Sequence, residues 1–405
     1  MTCFPPELIG LGRNVFVDLP RSAKTLPAAA ALLIRSCPCP SQFSQIATLW
    51  AGANWRVRRA LTPASNRSPG RASLERCRAR QGTVIISIPG LRQGVPTAVR
   101  NDSVVRIGRR EVNITNQDKV FFPEFGLTKG DLVEYYLAVA DCVLHHVRRR
   151  PMQMKRYPNG VEGEFFYQKR VPVPHPDWLE TVHIRFPSGR TADFPVCDDA
   201  ASLAWIVNLG CIELHTWHSR VADIERPDYL LIDLDPSEGN PWEFVREIAL
   251  VVREVMDELG LTSFPKTSGA TGLHILAPIR PELPFPEMRR FAKALAQEVE
   301  RRIGDQDVAT TTWKVADRSG VFVDYGQNAR DRTIACAYSI RPTPDARASA
   351  PLTWDEVPGS DPAAFTLETM RDRIAEVGDL TAGMWRHKVS LVPRFEALGL
   401  EPPSA

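Results

Sequence analysis

The apolar run "YLLIDLDPSEG", Tyr229 to Gly239, carries two aspartates one residue apart, Asp233 and Asp235. An extended strand points successive side chains to opposite faces, so both carboxylates share one face while Ile232 and Leu234 share the other. Such a strand needs a packed layer on its dry face and compensation for two close negative charges on the wet one. Taken alone, the pair has two explanations. "DPSEG" is good turn chemistry, and Asp235 could cap a following helix. Alternatively the carboxylates hold divalent cations, since Mg2+ and Mn2+ take hard oxygen ligands and share them with substrate phosphates.

A third acid favours the second explanation. "SGVFVDYGQN" is another apolar strand that ends in a carboxylate, Asp324. If the two strands are neighbours, Asp324 completes a three-carboxylate pocket. Two metals held there could activate an attacking hydroxyl and stabilise a leaving oxygen in phosphoryl transfer.

Between these strands lies "FPKTSGATGLHILAPI". Ser268, Gly269 and Gly272 form a turn whose backbone amides can approach an anion, with Lys266 and His274 supplying charge or hydrogen bonds on either side. It is not a Walker loop, because the lysine precedes the glycines. Upstream, "NLGCIELHTWHSR" holds Cys211, His215 and His218. Zinc is disfavoured there because no fourth ligand appears and the nearby acids are hard ligands. His215 suits a triphosphate or a sugar hydroxyl, or else serves as a core histidine bonded to backbone.

Two further segments suggest nucleic acid. "NQDKVFFPEFGLTKGD" puts Lys119 before a turn and Lys129 in the first turn of a helix, where a lysine opposes the helix dipole unless a phosphate bridges both. Ordinary solvated lysines are the plainer alternative. "MKRYPNGVEGEFFYQKR" interleaves Lys155, Arg156, Lys169 and Arg170 with Phe165, Phe166 and Tyr167, a pattern suited to stacking bases and neutralising a backbone. Alternation is expected to bury one of the two phenylalanines, leaving one to stack.

The formal charge of +2 hides an asymmetry: residues 1–100 contain 14 Lys/Arg against 3 Asp/Glu, a surplus of +11 that leaves −9 for residues 101–405. A nucleic-acid site must therefore be a local patch. Residues 1–102 are read as a basic, Pro-, Ala- and Arg-rich extension, poorly ordered, with one strand-like run at "TVIISI". The eight scattered cysteines lack CxxC spacing and are read as reduced thiols. No apolar run reaches the roughly 18 residues of a membrane helix, so no membrane role and a cytoplasmic, nucleoid-associated location are expected.

Residues 103–400 read as one mixed α and β (α+β) domain in two lobes. "VVRIGRREVNIT" alternates like a hairpin. "LTKGDLVEYYLAVADCVLHHV" reads as one helix with Thr128 as N-cap, Asp131 three residues on, and Leu132, Tyr136, Val139 and Val143 on one stripe. Further helices are expected over Ala201–Leu209, Trp242–Leu259, Phe285–Ile303 and Met384–Leu398. Strands are expected at "GEFFYQKRV", "VHIRF", "YLLIDLD", "SFPKTSG", "LHILAPI" and "GVFVDYG".

Taken together, "ELHTWHSRVADIERPDYLLIDLDPSEG", "KTSGATGLHI", "VFVDYGQNARDRTIACAYSIRP" and "APLTWDEV" resemble the polymerase domain of bacterial DNA ligase D, in the archaeo-eukaryotic primase superfamily, from about residue 104 to about 400. The resemblance implies a primase/polymerase fold with a mainly antiparallel, RRM-like catalytic sheet flanked by helices. It implies a metal triad of Asp233, Asp235 and Asp324 for two Mn2+ or Mg2+ ions, manganese being preferred. His215, Ser268 and His274 would be ligands of the incoming NTP or dNTP, with Gln327, Arg332 and Arg341 around the triphosphate. Lys119 and Lys129 would grip the 5′-phosphate on the downstream side of a DNA gap or break, in repair with Ku and a ligase. The glycine turn carries Ala270 and Thr271 where relatives often carry a basic residue. None of the nine lysines is followed by x-Asp-Gly, so a ligase motif is missing and a stand-alone polymerase is expected, with any separate DNA ligase on another chain. The competing expectations are a catalytically silent module that binds DNA ends and recruits a ligase, and a phosphohydrolase with an aspartyl-phosphate intermediate.

Overall fold

The computed structural model describes residues 102–403 and, before them, the backbone of one short strand pair, Arg56–Val57 with Ile86–Ser87. Apart from that pair, the expected basic extension lies outside the described residues. Residues 96–405 form a unit of their own, and two sheets organise it.

The first sheet has four strands: β1 (Met152–Arg156), β2 (Phe166–Gln168), β3 (Cys211–Trp217) and β9 (Thr333–Ala335), in the order β9-β3-β1-β2, all antiparallel. Its core includes α1 (Lys129–Ala138), α2 (Ala140–Val147) and α3 (Ala200–Asn208). The second sheet has five: β4 (Tyr229–Pro236), β5 (Phe264–Thr267), β6 (Leu273–Pro278), β7 (Ala309–Thr310) and β8 (Val321–Asp324), in the order β5-β6-β4-β8-β7. Only the β7–β8 edge pair is parallel. This is the mixed, mainly antiparallel architecture expected from the sequence.

Alternation explains which face of the second sheet is dry. Leu230, Ile232 and Leu234 of β4, Leu273 and Ile275 of β6, and Val321 and Val323 of β8 are all fully buried, in one cluster with α4 (Trp242–Glu258) and α5 (Phe285–Ile303). Both helices place an apolar stripe on that face, Val245, Ile248 and Val252 from α4 and Met288, Phe291 and Leu295 from α5. The opposite face is apolar at one end, where Tyr229, Leu231, Leu276 and Ile334 cluster. Its other end carries the acids.

Two expectations about helices need correction, and one helix was not expected. The long helix after Thr128 breaks at Val139 (φ −106°, ψ 15°) into α1 and α2, although Thr128 caps α1 through the expected capping box with Asp131. Met384–Leu398 is not a helix but three short 3-10 turns, because Lys388 is extended (φ −67°, ψ 121°) and Pro393 supplies no N–H. A helix over Thr369–Val377 escaped the sequence reading.

Candidate active site

Register on the second sheet brings four chain segments into one row. Lys266 pairs with His274, His274 with Asp233, and Asp233 with Asp324 across the adjacent strands β5, β6, β4 and β8. Asp235 lies two residues further along β4, on the same face and at the exposed rim. Asn328 holds the β4–β8 junction by accepting from Leu231 N at 3.0 Å and donating to Leu231 O at 2.6 Å. The three acids expected to converge therefore do share a face, with Asp233 and Asp324 directly opposed.

Their environment penalises ionisation. Burial, with Asp324 and Asp235 adding repulsion, pushes the Asp233 carboxyl up to about 8. Burial also raises Asp235 and Asp324. Asp324 has partial compensation: Oδ1 accepts from Gly326 N at 2.6 Å and Oδ2 from Gln327 Nε2 at 3.2 Å. Gln327 thus reaches the row through Asp324. The Arg318 guanidinium, which the sequence reading passed over, also favours the charged forms of Asp235 and Asp324. Among the described residues no three His, Cys, Asp or Glu side chains are gathered closely enough to form a ready-made metal site. The donor chemistry nonetheless fits a hard cation, since three oxygen ligands repel one another and a divalent ion would relieve that repulsion.

Lys266 does not lie where a nucleotide could touch it. It is 2% exposed, and its Nζ donates to Ser349 Oγ (2.6 Å) and Ala335 O (3.0 Å) and lies 2.5 Å from His274 Nδ1. Alternation places it on the site face, but His274 and the β9 edge cover it. Burial lowers its pKa to about 7.

The glycine turn sits on β4. A Cβ on Gly272 would collide with the Leu234 carbonyl, and one on Gly269 (φ +75°) would meet Arg341 Cγ. Ser268 Oγ accepts from Ala270 N at 3.1 Å and Gly272 N at 3.0 Å, so the serine closes the turn and spends two of its amides internally. Arg341 packs beneath this turn and turns its Nε towards Glu213, 3.0 Å from Oε1.

Glu213 is a second residue the sequence reading missed. It is 1% exposed on β3, with Lys155 Nζ 2.6 Å and Tyr157 OH 2.7 Å from Oε2 and His215 Nε2 3.5 Å from Oε1. Burial opposes ionisation of this carboxyl, yet the close approach of His215, Arg341 and Lys155 holds it well below the usual range. Neither His215 Nε2 nor Arg341 Nε is aligned to make a true hydrogen bond with it. His215 and Arg341, expected at the nucleotide, and Lys155, expected at the DNA, thus surround one carboxylate. The signal was present: Glu213 and His215 alternate within an apolar strand just as Asp233 and Asp235 do. Arg332 is exposed on the loop after β8 and is not drawn into this cluster.

A separate concavity of about 170 Å³ is lined by Lys119, Lys129, Arg156, Thr115, Asn116 and Asn208 among others. Lys129 Nζ donates to Thr115 O at 2.7 Å, and burial lowers its pKa to about 8. Lys119 Nζ donates to Asn159 Oδ1 at 2.8 Å. The two lysines expected to work together do share one pocket. Beyond it, Phe165 and Phe166 are 50% and 45% exposed, which corrects the expectation that one would be buried. β2 is a three-residue edge strand, and cations rather than a second layer cover the rings: Lys155 lies 4.5 Å over Phe165 and Arg156 5.3 Å over Phe166.

Comparison with known proteins decides the family. The model of the family described as "LigD, primase-polymerase domain" matches residues 128–381. The chain belongs to the LigD primase-polymerase family. It is 37% identical over 284 residues to the multifunctional non-homologous end joining protein LigD of Mycobacterium bovis, and 35% identical over 274 residues to that of Mycolicibacterium smegmatis. Each match covers 67% of this chain and 36% of the relative, so the LigD-type region here corresponds to about a third of those proteins. Among solved structures, the polymerase domain from Mycobacterium tuberculosis ligase D in complex with DNA matches with a TM-score of 0.64 at 35% identity, covering 68% of this chain and 98% of that one. The β4–β8 row of this LigD primase-polymerase chain falls inside the matched span, whereas Lys119 precedes the residues of the family model. Among the described residues no helix is long and apolar enough to cross a membrane.

Proposed function

We propose that this chain is a template-dependent nucleotidyltransferase that adds NTPs or dNTPs at DNA ends and short gaps carrying a 5′-phosphate. The reaction is attack of a primer 3′-hydroxyl on the α-phosphate of the nucleotide, with pyrophosphate leaving and no side-chain nucleophile. The observation that carries the reading is the opposed pair Asp233 and Asp324, with Asp235 beside them, at the end of an otherwise apolar sheet face.

Asp233, Asp235 and Asp324 would hold two Mn2+ or Mg2+ ions, which when bound supply the positive charge that in-line phosphoryl transfer requires. His274 faces the row, and the Glu213 cluster presents His215 and Arg341 as donors to a triphosphate, with Ser268 in the turn above β4. Gln327 orients Asp324. Arg332, exposed nearby in sequence, is a candidate contact to the outer phosphates. The Lys119 and Lys129 pocket suits a terminal phosphate on DNA, because two ammonium groups and the Thr115 hydroxyl surround a space of phosphate size. Phe165 and Phe166 suit stacked bases, with Lys155 shared between Glu213 and the DNA side. The relatives' printed role in non-homologous end joining suggests the same pathway here, beside DNA in the nucleoid, with Ku and a ligase as partners.

Incorporation of labelled NTP and dNTP on gapped DNA, with and without the downstream 5′-phosphate, tests the reading. Wild-type protein should extend the primer with Mn2+ and should prefer the phosphorylated gap, while Asp235→Ala should bind the DNA and fail to extend. Binding without any incorporation by the wild type would favour the silent end-binding module. Phosphate release from small phosphoesters without a template would favour the phosphohydrolase.

A further inference from the structure

Lys266 is buried without a carboxylate in contact. Desolvating an ammonium group is costly unless every proton is used, and the surroundings of Lys266 use all three. Ser349 Oγ donates its own proton to Thr267 O at 2.7 Å, so it can only accept from Lys266 at 2.6 Å. The Ala335 carbonyl, at 3.0 Å, can only accept. The third donor direction points at His274 Nδ1, 2.5 Å away. A neutral imidazole has one donor and one acceptor nitrogen. With Lys266 in its ammonium form and Nδ1 accepting from it, the ring proton resides on Nε2, the nitrogen 3.4 Å from Asp233 Oδ1.

We propose that Lys266 is a positioning residue that fixes His274 as the Nε2–H tautomer, so that the ring presents a hydrogen-bond donor to the anion received at the acid row. Under the nucleotidyltransferase reading, on which only the identity of that anion rests, the anion is the triphosphate of the incoming nucleotide. A ring free to adopt the other tautomer would present a lone pair to that anion and repel it. The same lysine fastens β5 of the five-stranded sheet to Ala335 on β9 of the four-stranded sheet, beside His215 in register. One buried group therefore sets both the tautomer of His274 and the seating of the two sheets around the nucleotide.

Nitrogen NMR of histidine-labelled wild-type protein at about pH 6, without nucleotide, where Lys266 is mostly in its ammonium form, reads the tautomer directly, with the His274 signals identified by their loss in His274→Gln. The expected result is an unprotonated Nδ1 and a protonated Nε2. In Lys266→Met the ring should become a tautomer mixture and the nucleotide KM should rise roughly 10- to 100-fold, with kcat changed much less. Ser349→Ala, which loosens the lysine without removing it, should give a smaller change of the same kind. A protonated Nδ1 in the wild type would overturn the proposal, as would a Lys266→Met protein with unchanged tautomer and unchanged KM. The NMR result stands whether or not the wild type incorporates nucleotides, so failure of the polymerase reading and failure of this one are separable.

Discussion

Asp233 and Asp324 face each other across neighbouring antiparallel strands, yet Asp324 accepts from Gly326 N and Gln327 Nε2 while Asp233 has, among the described residues, only His274 Nε2, at 3.4 Å from Oδ1. The pair is asymmetric: burial, with repulsion from Asp324 and Asp235, pushes the Asp233 carboxyl up to about 8, whereas Gly326 and Gln327 offset part of the effect of burial on Asp324.

The upward shift at Asp233 makes stability depend on pH. An unfolded Asp titrates near ~3.9, so the folded state holds the proton more tightly, and the contribution of Asp233 is complete below that pH and is lost as pH rises through about 8. Urea unfolding from pH 5 to pH 8 should therefore show wild-type stability falling, with Asp233→Asn reducing the fall by roughly 3 kcal/mol. Mn2+ should restore the wild type at pH 8 and leave Asp233→Asn unchanged. A wild-type profile flat over this range contradicts the assignment.

The Glu213 carboxylate works in the opposite direction. Its pKa is depressed, so its contribution is present above the unfolded value of about 4.3 and disappears as pH falls. Glu213→Gln leaves Lys155 and Arg341 without their counter-charge and should cost about 3 kcal/mol at pH 7 in urea unfolding. The gap from wild type should narrow below pH 4. An unchanged midpoint at pH 7 would mean the cluster contributes nothing.

Lys129 is held near a pKa of about 8 by burial, and a bound phosphate favours its charged form. Lys129→Met should weaken binding to a 5′-phosphorylated gap by about tenfold or more, the order of one charge-assisted hydrogen bond, and leave the unphosphorylated gap unaffected. Fluorescence anisotropy with the two DNAs separates the outcomes; equal losses on both would make the pocket a general backbone contact.

Phe165 and Phe166 both present ring surface. Each single alanine substitution should lower affinity for a single-stranded overhang by ~1–3 kcal/mol, measured by titration at fixed salt. Loss confined to one substitution would restore the earlier expectation that a single ring stacks.

Much of this was legible where chemistry and alternation coincide. Asp233, Asp235 and Asp324 declare themselves because a charged residue repeated on one face of an apolar strand has few structural uses. Thr128 and Asp131 declare a helix start through a capping box. The same logic applied to Glu213 and His215 would have exposed the second cluster. Lys266 misled because sequence shows its place on the site face and not the layer above it: Ser349 and Ala335 arrive from strands and loops distant along the chain. The Met384–Leu398 segment misled because its apolar spacing serves Leu391 and Phe395, which are buried in the core as separate anchors rather than as one helical stripe.

In the proposed reaction the Asp233, Asp235 and Asp324 carboxylates together hold two divalent cations over a triphosphate. Electron paramagnetic resonance titration of Mn2+ in the presence of a non-hydrolysable NTP tests it most directly. The wild type should bind about two Mn2+ per chain as a spin-coupled pair, as expected for ions ~3.5–4 Å apart, and Asp324→Asn should lose the coupled signal. Uncoupled ions in the wild type, or a coupled pair that survives Asp324→Asn, would contradict it.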